Sequence, residues 1–594
     1  MSRERSVNLL VFSLVAVVVG AVTGIGAVLF RALIAVVHNL FFLGHFSTVY
    51  NANIHTPAAP WGAFVILVPV LGGLAVVFLV RTFAPEARGH GVPEVMDAIF
   101  YKEGLIRPVV AAVKSLASAL AIGSGSAVGR EGPIIQIGAS LGSSIGQFIR
   151  LEAWQRITLV AAGAGAGIAA TFNTPIGGVI FAVELMMPEV STRTFLPVAL
   201  ATGTATFIGR LFFGDFPAFD VPPVGTLSVQ ASAVYVLGLY AMLGVVVGVA
   251  AAGFIRGLHL AEDQFDRIAN PYLRHTIGMS IVGLMMYAYL RSTGHYQIEG
   301  VGYATIQDVL LGVLTAAPLL ALLSVSKLLA TSLSLGSGSS GGIFSPSLYM
   351  GATLGGAFGG ACHAIFPSAD ISIPAFAMVG MGAMVGGGTG AAMTAVTMIF
   401  EMTRDYAIVV PLIIAVAISI GCRRVLSREN IYTIKLLARR HFIPKALHAN
   451  MFLVRRAADV MDKEVMVLPH SMAFDEFLRL PEHEGRMRHV VITRDDSISG
   501  VLRVNTSLRR GLEHSFVGIS LGEIASPHFT IAHGEEIMFT VIGRMWRRES
   551  GMSIVLDATQ VPRAQNIIGV ITKEHVADSV ADSIKPYSAS EMYH

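Results

Sequence analysis

Apolar runs dominate the first three quarters of the chain. They extend from Asn8 to about Phe42, Trp61 to Val80, Ala233 to Phe254 and Met279 to Leu290, then recur to about Gly421. A helix that crosses a bilayer needs about 20 apolar residues, so these runs predict membrane spans, many of them interrupted by glycine. The first run is longer than the core of a secretory leader and is followed by more hydrophobic sequence, which predicts a retained span. Near residue 445 the pattern changes. From Ala457 onward charges are frequent, and two units at about 456–515 and 516–585 alternate short apolar runs with helical patterns. "RHVVIT" (Arg488–Thr493) followed by "ISGVL", and "SIVLD" (Ser553–Asp557) followed by "IIGVITKEHVA", each read as strand, turn, strand and helix start. The expected architecture is an all-α polytopic membrane domain, residues 1–445, with a boundary between halves near 220–230, plus a cytosolic α/β domain, residues 446–594.

Composition sharpens this picture. Of 594 residues, 53% are hydrophobic and 14% charged, against about 25% charged in an ordinary soluble domain; mean hydropathy is +0.65. The net charge of +3 is small, but basic residues gather where hydrophobicity ends, from Arg423 to Lys445 by way of Arg428, Lys435, Arg439 and Arg440. By the positive-inside rule that end lies in the cytosol, as does the N-terminus with Arg3 and Arg5, in a plasma (inner) membrane. Cys362 and Cys422 are the only cysteines and read as packing residues, offering neither a disulfide framework nor a zinc cluster. His483, His489, His528 and His533 show no metal-ligand spacing and read as solvated surface groups. No nucleophile–base pair or metal motif points to an enzyme; no cofactor, metal or nucleic-acid partner is expected.

The membrane half repeats itself. "GSGSAVGREGP" (Gly123–Pro133) returns as "GSGSSGGIFSP" (Gly336–Pro346), an offset of 213 (336 minus 123), and Lys114 and Lys327 keep the same offset. "FAVELM", ending at Met186, and "MIFEMT", from Met398, make Glu184 and Glu401 counterparts. Internal repeats in hydrophobic chains point to transporters built from two related halves. "GSGS" suits a helix interior poorly, so each phrase predicts a break, with Pro133 and Pro346 in the first turn of a new helix. Helix-start amides and the positive end of the helix dipole together make an anion site. Close helix packing by small residues is the blander reading of either phrase alone.

These residues resemble the CLC chloride channels and chloride/proton antiporters. "GREGP" (Gly129–Pro133) and "GGIFSP" (Gly341–Pro346) are similar to two family signatures, and "GHGVPE" (Gly89–Glu94) to a third, usually written GSGIP. "IYTIKLLAR" (Ile431–Arg439) resembles the helix that brings a pore tyrosine, here Tyr432, and "FNTPIGGVIFAVE" and "IFEMTRDY" also fit. The resemblance, in motif order over residues 8–440, implies the CLC fold: two inverted-topology halves of tilted and re-entrant helices, in a homodimer with one pore per subunit. It implies that the tail is a pair of CBS modules. It also implies that Glu131 is the external gating glutamate, that His90, Tyr432 and the amides of Ile343 and Phe344 surround a central chloride, and that amides near Arg130 and Gly132 form an outer site. A carboxylate mimics an anion when ionised and leaves when protonated, so Glu131 would make permeation pH-sensitive.

Three departures bear on mechanism. Antiporters of the family usually carry an internal glutamate immediately after the position of Glu184, and here that residue is Leu185, which cannot accept a proton; a passive chloride channel is therefore expected, with a chloride/proton antiporter using a non-standard internal path as the alternative. Glu184 itself reads as a buried carboxylate paired with backbone or a cation. His90 stands where the family has a serine that donates to the central anion; imidazole, with an ordinary pKa of about 6.5, can donate or become cationic, or it can lie neutral and turned away. In the tail, His575 replaces the aspartate of the nucleotide-binding pattern, and "GVLRVNT" supplies Arg503 and Thr506, so nucleotide binding is not expected and a structural or dimer-stabilising role is.

Overall fold

Among the described residues, all but the last α-helix of the membrane unit fall into eight pairs in chain order. In the computed structural model these are α1 (Leu9–His38) with α9 (Ala231–Asp266), α2 (Val68–Phe83) with α10 (Pro271–Thr293), α3 (Val92–Tyr101) with α11 (Tyr303–Leu310), and α4 (Val109–Gly123) with α12 (Ala317–Ser337). They continue as α5 (Glu131–Ile149) with α13 (Phe344–Ile365), α6 (Ala153–Phe172) with α14 (Ile373–Thr389), α7 (Pro175–Phe181) with α15 (Ala392–Thr403), and α8 (Thr192–Phe213) with α16 (Val409–Leu426); α17 (Thr433–Ala438) follows. The structure describes residues 6–188, 190–221, 231–367, 371–439, 441, 451–478, 489–503, 518–557 and 563–576. Arg3, Arg5, Arg440, Lys445, His483, Arg488 and Thr506 lie outside these residues, as do most of the expected boundary near 220–230 and the tail-unit limits at 515–516 and 585.

The pairing extends to packing. Among the described residues six helical stretches are long and apolar enough to cross a membrane, including Leu9–Leu43, Gly62–Phe83 and Val409–Leu426, while α6 and α14 are almost wholly buried. Gly138 of α5 faces Gly163 of α6 so closely that a Cβ on either would strike the other's carbonyl, and Gly351 of α13 and Gly380 of α14 repeat the contact. Small residues let backbones approach where lipid offers no hydrophobic drive. This is the packing role of glycine. It lies one to two turns beyond the repeated phrases, which do something else.

Each phrase breaks the chain. α4 ends at Gly123 and α5 begins at Glu131; α12 ends at Ser337 and α13 begins at Phe344. Pro133 and Pro346 each take the third helical position, where the missing amide hydrogen has no intrahelical partner to lose. The breaks meet: Gly129 and Gly342 exchange backbone hydrogen bonds of 2.7 and 2.6 Å, an antiparallel bridge that places a two-fold relation between the halves.

The chain divides into two compact units, Met1–Ile443 and Pro444–His594. In the second, one three-stranded arrangement occurs twice. β1 (Val465–Pro469) runs parallel to β2 (His489–Arg494), which pairs antiparallel with β3 (Ser497–Arg503); β4 (Thr530–His533), β5 (Met552–Leu556) and β6 (Ile567–Thr572) repeat that order. This sheet-containing region is CBS-like. Asp495 and Asp496 turn β2 into β3 with φ of 48° and 65°, the left-handed geometry of a tight hairpin. The parallel strands β1 and β4 were not read from the sequence. One further reading changes: His489, which opens the middle strand β2, is 2% exposed and is not a solvated surface group.

Candidate functional site

The side chain of Glu131 lies across the junction of the two halves. It is the first residue of α5 and 0% exposed. Its carboxylate accepts from the backbone N–H of Ser345 at 3.1 Å and from the hydroxyls of Ser345 and Tyr303, and those two hydroxyls lie 2.8 Å apart. Ser345 is the second residue of α13 and Tyr303 the first of α11. An acid from one half thus sits on helix starts of the other, where orphan N–H groups and the dipole favour negative charge.

Two of these residues were missed. Ser345 lies inside "GGIFSP", where the resemblance points instead to Ile343 and Phe344, whose N–H groups make no hydrogen bond with other described residues. Tyr303 had a faint signal: "GHGV" (Gly89–Val92) is matched by "GVGY" (Gly300–Tyr303) at an offset of 211 (300 minus 89), near that of the glycine phrases. Both segments are held alike. Lys114 Nζ donates to the carbonyls of Ala87 and Gly89 at 2.9 and 2.7 Å, and Lys327 Nζ to those of Ile298 and Gly300 at 2.8 and 2.7 Å. Each buried ammonium fixes the turn before a short helix, α3 or α11.

His90 ends the first of these turns. It is 2% exposed, its Nδ1 has no hydrogen-bond partner among the described residues, and its ring centroid lies 5.9 Å from that of Tyr432. The ring is therefore packed beside the tyrosine rather than turned out to solvent. Gly132 abuts the His90 carbonyl so closely that a Cβ there would clash. Tyr432, also buried, precedes α17, where Asn430 Oδ1 accepts from the N–H groups of Tyr432 and Thr433 at 2.9 and 2.8 Å. The site residues read from the sequence around 90, 130–132, 343–344 and 432 thus gather at the junction. Unpartnered donors beside buried aromatic rings suit a weakly held monovalent anion, since conduction requires release as well as binding.

On the other side of Glu131, the Arg130 guanidinium lies 5.1 Å from the Tyr303 ring centroid. It lines a cavity of about 150 Å³ with Arg31 and Arg210, the last of these paired with Asp215 at 3.2 Å.

Glu184 and Leu185 stand apart from this junction. Glu184 lies in a π-helical turn, Ala182–Met186, that extends α7. Its carboxylate accepts from the N–H groups of Met393 and Thr394 at 3.2 and 2.8 Å and from the Thr394 hydroxyl at 2.7 Å, the backbone pairing read from the sequence. Leu185 is half-buried.

A duplicated membrane scaffold, broken twice so that helix starts converge on a carboxylate, defines an anion transporter built from two inverted halves. The family model described as voltage gated chloride channel matches residues 72–424, and the chain belongs to this family, the CLC anion transporters. The H(+)/Cl(-) exchange transporter ClcA of Citrobacter koseri is 33% identical over 420 residues, 69% of this chain and 85% of that protein. The structure of a slow cyanobacterial Cl-/H+ antiporter matches with a TM-score of 0.64 at 26% identity, over 73% of this chain and 99% of that one. A eukaryotic CLC transporter shares the fold, with a TM-score of 0.60 at 20% identity over 96% of this chain and 98% of its own.

Proposed function

We propose that the protein exchanges chloride for protons, as a homodimer with one pathway per subunit in the plasma (inner) membrane and both termini in the cytosol. The observation that carries this reading is the seat of Glu131 on Ser345 and Tyr303. An ionised carboxylate and chloride require the same donors and exclude one another. Protonation removes the charge those donors compensate, the side chain swings out, and chloride takes the seat. One group that alternately carries a proton and yields to an anion links the two flows. Chloride then passes between the amides of Ile343 and Phe344, the Tyr432 hydroxyl and the His90 ring, with the helix start at Arg130 and Gly132 forming the outer position.

Exchange needs a second proton acceptor toward the cytosol. Leu185 cannot serve and Glu184 is committed to a helix terminus, so the proposed inner acceptor is His90, whose buried Nδ1 has no hydrogen-bond partner among the described residues. The naming of the Citrobacter relative and the cyanobacterial neighbour as exchangers supports this over the channel that Leu185 favours. The channel remains the second reading, and it predicts chloride flux without proton flux. The experiment is a chloride gradient across proteoliposomes with pH recorded inside: uphill proton movement supports exchange, and its absence alongside chloride flux supports the channel. In the tail, with His575 in the aspartate's place, the proposed role is structural or dimer-stabilising, without nucleotide.

A further inference from the structure

Three metal-ligating side chains converge in the tail. His489 opens β2 in the first sheet. Asp462 precedes β1, and its backbone N–H and C=O both bond Val570 of β6 at 2.9 Å. His575 lies just beyond the end of β6, its N–H donating to Thr572 Oγ1 at 3.3 Å. Asp462 Oδ2 is 3.8 Å from His489 Nε2 and 3.7 Å from His575 Nε2. The two rings meet edge to face with centroids 5.4 Å apart, and one ligand atom from each residue lies within 4.8 Å of the other two.

We propose that Asp462, His489 and His575 bind a divalent transition-metal ion of the zinc class, which ties the first sheet of the tail to the second. The separations favour a shared ion over direct bonding. Hydrogen bonds between such groups need about 2.7–3.2 Å, and both contacts to Asp462 are longer. An ion bound at about 2.0–2.2 Å from each atom holds its ligands roughly 3.3–3.6 Å apart, which small side-chain rotations supply. Two imidazole nitrogens and one carboxylate oxygen are a donor set that suits zinc and its neighbours and disfavours magnesium or calcium. The carboxylate is already oriented: Glu464 N–H donates to Asp462 Oδ1 at 2.9 Å, leaving Oδ2 toward the histidines, the outer bonding that fixes a ligand. Binding through His575 Nε2 places the ring proton on Nδ1 and gives up the 3.3 Å contact from Thr572 N–H. The fourth position is left for water. In this reading His575 does not merely forfeit a nucleotide contact; it supplies a different ligand chemistry.

The test is titration of metal-stripped, full-length protein in detergent with Co2+, whose ligand-field absorption reports bound geometry. The expected result is saturation at one ion per chain, displacement by Zn2+, and at least about a tenfold loss of affinity in Asp462→Asn and in His575→Gln. His575→Cys keeps a ligand and should add a sulfur-to-cobalt charge-transfer band, a positive signal that does not depend on a loss. No saturable absorption in the native protein, a band unchanged in Asp462→Asn and His575→Gln, or a His575→Cys protein that binds cobalt without the new band overturns the proposal.

Discussion

Glu184 and Glu401 each close the N-terminus of the helix that carries the other. Glu184, extending α7, accepts from the first amides of α15; Glu401, on α15, accepts from Ile176 and Gly177 of α7 at 3.1 and 2.6 Å. The exchange fixes two short helices that are too brief to be stable alone. Removing either carboxylate leaves helix-start N–H groups without their cap, so Glu184→Ala and Glu401→Ala should each cost about 0.5–2 kcal/mol, read as lower thermal stability in detergent. Glu184→Gln keeps an acceptor and should retain proton coupling. Coupling abolished by Glu184→Gln in a stable protein would make this residue the inner proton acceptor instead.

Lys114 and Lys327 are the second matched pair. Ammonium groups at membrane depth are costly and persist only when bonded, and each here is shared by two carbonyls of the turn that leads to His90 or Tyr303. Lys327→Met strips both carbonyls of their donor, at about 1–3 kcal/mol for each group left unsatisfied, and should lower the melting temperature. Because the turn positions Tyr303, it should also weaken the hold on Glu131 and raise chloride turnover relative to stability-matched controls. A variant that melts normally would show that the turn needs no staple.

Tyr303 offers the most selective perturbation of the Glu131 seat. Tyr303→Phe removes one hydroxyl and leaves the ring beside Arg130. A hydrogen bond to a charged group contributes about 1.5–3 kcal/mol, so the equilibrium constant for seating the carboxylate should fall roughly tenfold or more, and chloride transport should persist to higher pH than in the native protein. The pH profile of chloride efflux reads this directly. An unmoved profile would mean that the Ser345 contacts alone hold the carboxylate.

His90→Ser tests the proposed inner acceptor. With no imidazole, chloride movement should continue while proton movement falls at least severalfold, measured in the same vesicles. Equal loss of both would assign His90 to anion passage, and loss of neither would remove it from the pathway.

The repeated glycine phrases made the two halves, the breaks and the convergence of helix starts legible, because glycine and proline act locally and leave marks at fixed offsets. Tyr303 was harder to see. A tyrosine in an apolar chain reads as an interfacial anchor, and only its offset from Val92 connects it to the site. Asp462, His489 and His575 were hidden for another reason: they are far apart in sequence, and strand register, which side-chain spacing does not encode, brings them together. Glu184 fell between these cases, since its type suggested backbone pairing but its partners on α15 required the fold.

In the proposed exchange Glu131 both yields to chloride and carries the proton. Parallel recording of chloride and proton flux in proteoliposomes containing native protein or Glu131→Gln, under an imposed chloride gradient, separates this most directly from a passive channel. Uphill proton movement by the native protein, and pH-independent chloride flux with no proton movement by Glu131→Gln, is the predicted result. Chloride flux without proton movement in the native protein, or proton coupling that survives in Glu131→Gln, contradicts it.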